Sequence, residues 1–165
     1  MRYIALIPAL LLSLACANAS AAKAGSKQAD GTRLVASQGN QRLVAAAADS
    51  PERFTWEAAT TWCEQSTAHG HADWRLPDAS ELALLYRHRK AIDGFQSQEK
   101  DDQDPLGYLK VLQGGGEVDR GYWSSTRDGN AAAGLNFTDG SAFQLAVIET
   151  PVVFSKWVRC VRTAQ

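Results

Sequence analysis

The sequence predicts an α+β domain, with two helices followed by an antiparallel sheet, and three observations support this class. Clear helical periodicity occurs at residues 54–65 and 78–90. From Tyr122 onward, apolar and polar residues alternate, which is typical of antiparallel strands. Two cysteines, one in the first predicted helix and one near the end of the chain, lie where a disulfide would join those regions. Helices followed by a run of strands define the α+β class.

The composition fits one globular domain preceded by a targeting segment. The chain has 165 residues, of which 45% are hydrophobic and 21% are charged. Its formal net charge is −1. The protein as a whole therefore has no basic field that would favour nucleic acid or an anionic membrane as a partner.

Residues 1–22 are predicted to be a secretory signal peptide. Arg2 provides a short positive region, residues 4–15 are apolar apart from Ser13, and several small residues follow. The apolar run is too short to span a bilayer comfortably, so no membrane span is expected. The prediction places the protein in the periplasm, in the medium or on the cell surface. The alternative is a lipid anchor at Cys16.

The two cysteines that follow the predicted signal peptide, Cys63 and Cys160, are predicted to form a disulfide. Two cysteines in an exported chain pair most simply with each other. The bond would close a loop of roughly 100 residues, for which the chain-entropy model gives about 4–5 kcal/mol of stability. The alternative is a reactive thiol at Cys63, for which His69 and His71 are the only nearby activating residues in the sequence.

The folded domain is predicted to occupy residues 32–165, after a flexible polar lead-in at residues 23–31. Residues 32–37 and 41–46 each contain the sequence R-L-V, and a Gly-Asn turn lies between them. This pattern favours a β-hairpin.

Two helices are predicted next, at residues 54–65 and 78–90. Thr55 can act as the N-cap of the first helix. Asp78 and Glu81 have the spacing of a capping box, in which each side chain accepts a hydrogen bond from the backbone N–H of the other residue. The second helix should therefore begin sharply at residue 78.

The rest of the chain is predicted to consist of loops followed by strands. Residues 91–121 are irregular, with a short helical turn at residues 106–112. Strands are expected at residues 122–126, 135–137, 143–147 and 152–162. In the last of these, Lys156, Val158 and Cys160 should face one side of the sheet, because side chains alternate along a strand.

Five segments in order resemble a known family. They are F-T-W-E-A-A-T-T-W-C, D-W-R-L-P-D-A-S-E-L, Y-W-S-S-T, N-F-T-D-G and W-V-R-C-V-R, spread over residues 54–162. Together they resemble the domain at the C-terminus of the Legionella collagen-like adhesin. The sequence departs from that family before the first helix, where it lacks the usual T-G-L-M-W strand.

The resemblance implies a C-type lectin-like fold, in which two helices pack on a twisted antiparallel sheet with long loops. It also implies that a disulfide joins the first helix to the last strand. The adhesin's domain binds sulfated glycans, so the resemblance places a ligand site on the loops. The candidate ligand-binding residues are Tyr108, Lys110, Arg120 and Arg127.

The remaining motif residues are interpreted as structural. They are Trp56, Trp62, Trp74, Arg75, Pro77, Asp78, Glu81, Trp123 and Trp157. The tryptophans are expected in the core, and Arg75 is expected to bind carbonyl groups or a carboxylate such as Asp73 at the edge of the core.

No cofactor is expected. Calcium is the main alternative, because Glu99, Asp101, Asp102 and Asp104 lie close together, although their spacing is not that of an EF-hand. His69 and His71 alone are too few to predict a zinc site.

The sequence contains no G-x-S-x-G, H-E-x-x-H or P-loop motif, so the protein is not expected to be an enzyme. Two function classes remain. The first is an exported binding module that recognises a glycan or a cell-surface protein through its loops. The alternative is a structural or assembly subunit of an envelope complex or surface appendage. The sequence does not predict the oligomeric state.

Overall fold

The computed structural model describes residues 22–96, 120–147 and 155–165. Three helices are present in these residues: α1 (Trp56–Glu64), α2 (Ala79–Arg87) and α3 (Arg89–Ile92). The strands are β1 (Arg33–Gln38), β2 (Gln41–Ala45), β3 (Gly121–Asp128), β4 (Ala131–Asn136), β5 (Ala142–Ala146) and β6 (Val161–Ala164). The predicted combination of helices with antiparallel strands is confirmed. No helix in the described ranges is long and apolar enough to cross a membrane.

The strands that the structure describes form two three-stranded antiparallel sheets, not the single sheet that was predicted. Their orders are β1-β2-β6 and β3-β4-β5. The hairpin predicted from the R-L-V repeat is confirmed as β1 and β2. Trp157 exchanges backbone hydrogen bonds with Gly121 and Trp123, so the segment before β6 also contacts β3. The two sheets are connected through this final segment.

The N-caps of α1 and α2 are the predicted ones. The Thr55 hydroxyl accepts a hydrogen bond from the Ala58 amide. Asp78 Oδ1 accepts from the Glu81 amide at 2.8 Å, and Glu81 Oε2 accepts from the Asp78 amide at 2.9 Å. The capping box is therefore complete, and it satisfies two N–H groups that would otherwise lack partners at the helix start.

The second predicted helix does not continue unbroken to residue 90. The backbone of His88 leaves helical geometry at φ −100° and ψ 9°, so α2 ends at Arg87 and α3 begins at Arg89. The His88 carbonyl accepts from the amides of both Ala91 and Ile92, which tightens the chain into a new turn. Ile92 nevertheless lies in the core, with no exposed surface.

The predicted closing strand at residues 152–162 is wrong in its extent, because β6 begins only at Val161. The described residues before it hydrogen-bond to separate segments: Lys156 to Phe54, Val158 to Ser50 and the Cys160 carbonyl to Ala46. Because several segments surround this stretch, its side chains do not alternate between core and solvent. Arg159, predicted to face away from Val158, is completely buried.

Two apolar clusters form the core. The first contains Val35, Ala45, Leu82, Leu85, Ile92, Phe95, Tyr122, Phe137 and Val161. The second contains Ala46, Ala59, Cys63, Trp74, Leu76, Trp123, Ala132, Val158 and Cys160. The predicted disulfide between Cys63 and Cys160 is present in the second cluster, with an S–S distance of 2.08 Å. It joins α1 to the residue just before β6.

The expectation that all five tryptophans are in the core is wrong for Trp62. Trp74 and Trp123 are each 2% exposed, and Trp56 and Trp157 are half-buried against the two clusters. Trp62 is 42% exposed. Helix α1 buries Ala59 and Cys63, whereas Trp62 lies on its flank, with its ring 5.4 Å from that of Phe54.

Residues 23–31, predicted to be a lead-in, make defined contacts with the domain. The Gly25 amide donates to the Leu34 carbonyl at 2.7 Å, and Lys27 forms a β-bridge with Arg33. Gly25 has φ +88°, and a Cβ atom placed on it would lie 2.6 Å from the Ala91 Cβ. Only glycine fits at this position, where the lead-in backbone packs directly against α3.

Candidate functional site

The structure places two of the four predicted ligand-binding residues. Tyr108 and Lys110 lie outside the described residues, as do the acidic residues proposed for calcium and the predicted helical turn at residues 106–112. Arg120 immediately precedes β3, and Arg127 is the next-to-last residue of that strand. At about 3.3 Å per residue, they are roughly 20 Å apart, so they do not form one site. Arg127 is therefore the predicted residue around which a site can be described.

Arg127 is exposed, and its guanidinium group lies 4.8 Å from the centroid of the Trp56 ring. The ring is fixed in turn, because Trp56 Nε1 donates to the Ser124 carbonyl at 2.8 Å. Within the described ranges, Arg127 makes one hydrogen bond, from Nη2 to the Gly129 carbonyl at 3.2 Å. Most of its N–H donors therefore face solvent in a guanidinium group whose position the tryptophan restricts.

A bulge in β3 determines the position of Arg127. Trp123 is opposite Gly134 and Arg127 is opposite Ala132, so β3 accommodates two extra residues between these pairs. Such bulges change the direction of neighbouring side chains and are frequent beside functional sites. The bulge is anchored on the start of α2, because the Ser125 amide donates to the Pro77 carbonyl and the Thr126 hydroxyl accepts from the Ala79 amide.

A second arginine with an aromatic partner lies inside the protein, and the sequence did not predict it. Arg159 Nε donates to Asp49 Oδ1 at 2.5 Å, and both side chains are completely buried. The guanidinium group also donates to the carbonyls of Ala46 and Gly94 and lies 4.1 Å from the centroid of the Phe95 ring. Its donors are therefore used in holding segments of the chain together.

Asp49 is the centre of this buried network. The Tyr122 hydroxyl donates to Asp49 Oδ2 at 2.5 Å, and the Gln96 amide donates to the same oxygen at 2.7 Å. Burial raises the pKa of the Asp49 carboxyl group above its ordinary value, because desolvation outweighs the lowering by Arg159 and by the hydrogen bonds to the carboxylate. Burial and the adjacent carboxylate raise the pKa of the Tyr122 phenol, so Tyr122 remains a donor.

Arg75 binds a carbonyl group, that of Leu76, and a carboxylate, as predicted, but the carboxylate is Glu81 and not Asp73. Arg75 forms a bidentate ion pair with Glu81, with N–O distances of 2.6 and 2.7 Å. Asp73 instead accepts from Arg162 Nε at 2.6 Å. The Arg75 side chain is 42% exposed, so it lies farther from the core than expected. The Glu81 carboxylate thus accepts hydrogen bonds both from the Asp78 amide in the capping box and from Arg75.

His69 and His71 both contact Asp30. His71 Nε2 is 2.9 Å from Asp30 Oδ2, and His69 Nδ1 is 2.9 Å from the Asp30 carbonyl oxygen. His69 Nε2 accepts from the Ala47 amide, which makes Nδ1 the protonated nitrogen of a neutral ring. No group of three or more His, Cys, Asp or Glu residues in the described ranges is arranged to hold a metal ion.

These features define a disulfide-bonded α+β domain with a buried arginine network and an exposed arginine–tryptophan pair. The chain belongs to the family of Lcl C-terminal domains, whose model matches residues 20–162. The match therefore includes the region before α1 in which the sequence lacks the expected T-G-L-M-W strand. A comparison with curated proteins gave no match.

Proposed function

We propose that this protein is an exported, non-catalytic binding module that recognises an anionic substituent of a cell-surface glycan through Arg127. The observation that carries the proposal is the exposed guanidinium group fixed on the Trp56 ring, with one recorded hydrogen bond. Membership of the Lcl C-terminal domain family supports a binding role over a catalytic one.

The chemistry of Arg127 suits a sulfate or carboxylate group. A planar guanidinium can donate two parallel hydrogen bonds to such a group, and charge-assisted bonds of this kind are the stronger ones in proteins. Stacking on Trp56 restricts the side chain before ligand arrives, so less conformational entropy is lost on binding. The bulge in β3 and its bonds to Pro77 and Ala79 provide a rigid support.

The proposal extends to the fold, for which we infer the C-type lectin-like arrangement. It is supported by the connection of α1 to the residue before β6 through the disulfide, and by helices packed against antiparallel strands. Export is supported by the predicted signal peptide and by the disulfide, since such bonds persist mainly outside the cytoplasm.

A glycan array with sulfated, carboxylated and neutral sugars tests the function. We expect the protein to bind a subset of the anionic sugars and Arg127→Gln to weaken that binding roughly 10- to 100-fold, as for loss of hydrogen bonds to a charged group. Arg127→Lys should also bind weakly, because lysine cannot stack or donate in a planar fork. The absence of any glycan bound above background contradicts the proposal.

The matched control is Arg53→Gln, which removes an exposed arginine that is three residues from Trp56 but does not lie over its ring. This variant should bind the same glycans as the wild type. Equal weakening by Arg53→Gln and Arg127→Gln would show that net charge, and not the arginine–tryptophan pair, controls binding.

A second function is favoured by the exposed Trp62. Large aromatic side chains are enriched in protein interfaces, and Trp62 is 42% exposed beside Phe54. If the protein is an assembly subunit, Trp62→Ser should release a co-purifying partner while Arg127→Gln leaves that partner bound. The opposite pattern supports the glycan-binding function.

A further inference from the structure

Positive charge is concentrated in two segments of the chain. Residues 22–33 and 87–93 together contain six of the 17 Lys and Arg residues but only two of the 18 Asp and Glu residues. The formal net charge of −1 conceals this distribution, because acidic residues predominate in the rest of the sequence. A local basic region is therefore present in a protein that is almost neutral overall.

The fold brings these two segments together. Gly25 packs directly against Ala91, so the lead-in crosses the surface of α3. Lys23 and Lys27 are each two residues from Gly25, within about 7 Å of it along an extended chain. Lys90 is adjacent to Ala91, and Arg87 is the last residue of α2, two positions before α3 begins. Cations from both segments thus occupy one part of the surface.

The four residues that define this basic surface are all exposed: Lys23, Lys27, Arg87 and Lys90. Arg87 lies on the side of α2 opposite Leu82 and Leu85, which are buried. No ion pair is recorded for these four cations in the described residues. One of the two acids in the segments, Asp30, is already bound to His71.

We propose that this basic surface docks the protein on a bilayer containing anionic phospholipid. Charge complementarity supports this partner, because each Lys or Arg near an anionic membrane adds to the attraction. The path of the chain supports it as well. In the alternative in which Cys16 carries a lipid anchor, the lipid lies seven residues before Lys23, the first cation of the basic surface. A lipid anchor and a basic patch are the two signals that together produce stable attachment.

Docking of this kind is separate from the proposed glycan site. Helix α3 contributes Ile92 to the first core cluster, whereas Trp56, under Arg127, packs against the second. Membrane docking and recognition through Arg127 can therefore fail or succeed independently.

Flotation of the exported protein with phosphatidylcholine vesicles, with or without about 30% phosphatidylglycerol, tests the proposal. We expect binding that requires phosphatidylglycerol and decreases as salt rises from about 0.05 M to about 0.5 M. Lys90→Glu changes two charges and should weaken binding about 25-fold, and neutralising all four cations with Gln should weaken it several hundred-fold, at about fivefold for each unit of charge.

Arg53→Glu is the matched control, because it makes the same charge change at an exposed residue outside the basic surface. All variants share the same N-terminus, so any contribution of a lipid at Cys16 is constant. Binding that is independent of phosphatidylglycerol, or equal weakening by Arg53→Glu and Lys90→Glu, overturns the proposal. Heparin binding that survives at a salt concentration that abolishes vesicle binding also overturns it, because the partner would then be a polysaccharide.

Discussion

Arg159 and Arg127 both lie over an aromatic ring, yet their surroundings give them different uses. Arg159 is completely buried, paired with Asp49 and bonded to carbonyl groups of two other segments. Arg127 is exposed and makes one recorded hydrogen bond besides its contact with Trp56. The comparison shows that an arginine–aromatic contact alone does not indicate function. The number of guanidinium donors that remain unused separates a structural arginine from a candidate ligand-binding one.

Disrupting the buried ion pair of Asp49 and Arg159 should have the largest effect on stability. Asp49→Asn leaves Arg159 buried without a countercharge and should lower the free energy of unfolding by about 3–5 kcal/mol, as measured by urea denaturation. Asp73→Asn is the matched control, because it removes the partner of Arg162 from a side chain that is 54% exposed. That variant should lose less than about 1 kcal/mol.

A double variant keeps this prediction testable if Asp49→Asn does not fold. Replacing both members, with Asp49→Leu and Arg159→Met, removes both buried charges and should be less destabilising than Asp49→Asn alone. A double variant that is less stable than the single one would show that the hydrogen bonds to Ala46, Gly94 and Gln96 matter more than charge compensation.

Arg127 should contribute little to stability, in contrast to Arg159. Arg127→Gln removes one exposed hydrogen bond and a contact with Trp56, so the free energy of unfolding should change by about 0.5–1 kcal/mol or less. Thermal denaturation of the purified variant measures this. A loss comparable to that of Asp49→Asn would mean that Arg127 is structural, and reduced glycan binding by Arg127→Gln could not then be assigned to a ligand contact.

The same contrast explains which features the sequence could predict. The capping box of Asp78 and Glu81 and the hairpin of β1 and β2 depend on residues close together in the chain, so local patterns were sufficient. Asp49 and Arg159 are 110 positions apart. Arg159 also lies in a segment whose alternation indicated a strand with two different faces, whereas other parts of the chain cover it on all sides. Its burial depends on tertiary packing that no local pattern encodes.

The position of the basic surface was missed for a related reason. The net charge of −1 argued against an anionic partner, but net charge does not describe how charges are distributed. The contact between Gly25 and Ala91 brings together two basic segments that are more than 50 positions apart. A glycine with this φ angle can be predicted in a turn, but the helix against which it packs cannot.

The Asp30 carboxylate should give the smallest effect, visible only in the pH dependence of stability. Partial burial raises the pKa of Asp30, but the hydrogen bonds from Thr32 and the contact with His71 outweigh this effect. The net result is a pKa lowered to about 2. Because the pKa in the folded state is below the ordinary value of 3.8, ionised Asp30 stabilises the fold above about pH 4. This contribution should disappear as the pH falls through about 2. Asp30→Asn should therefore melt at a lower temperature than the wild type at pH 5, and the difference should shrink towards pH 2. A difference that stays constant over this range would mean that Asp30 acts through its hydrogen-bonding geometry and not through its charge.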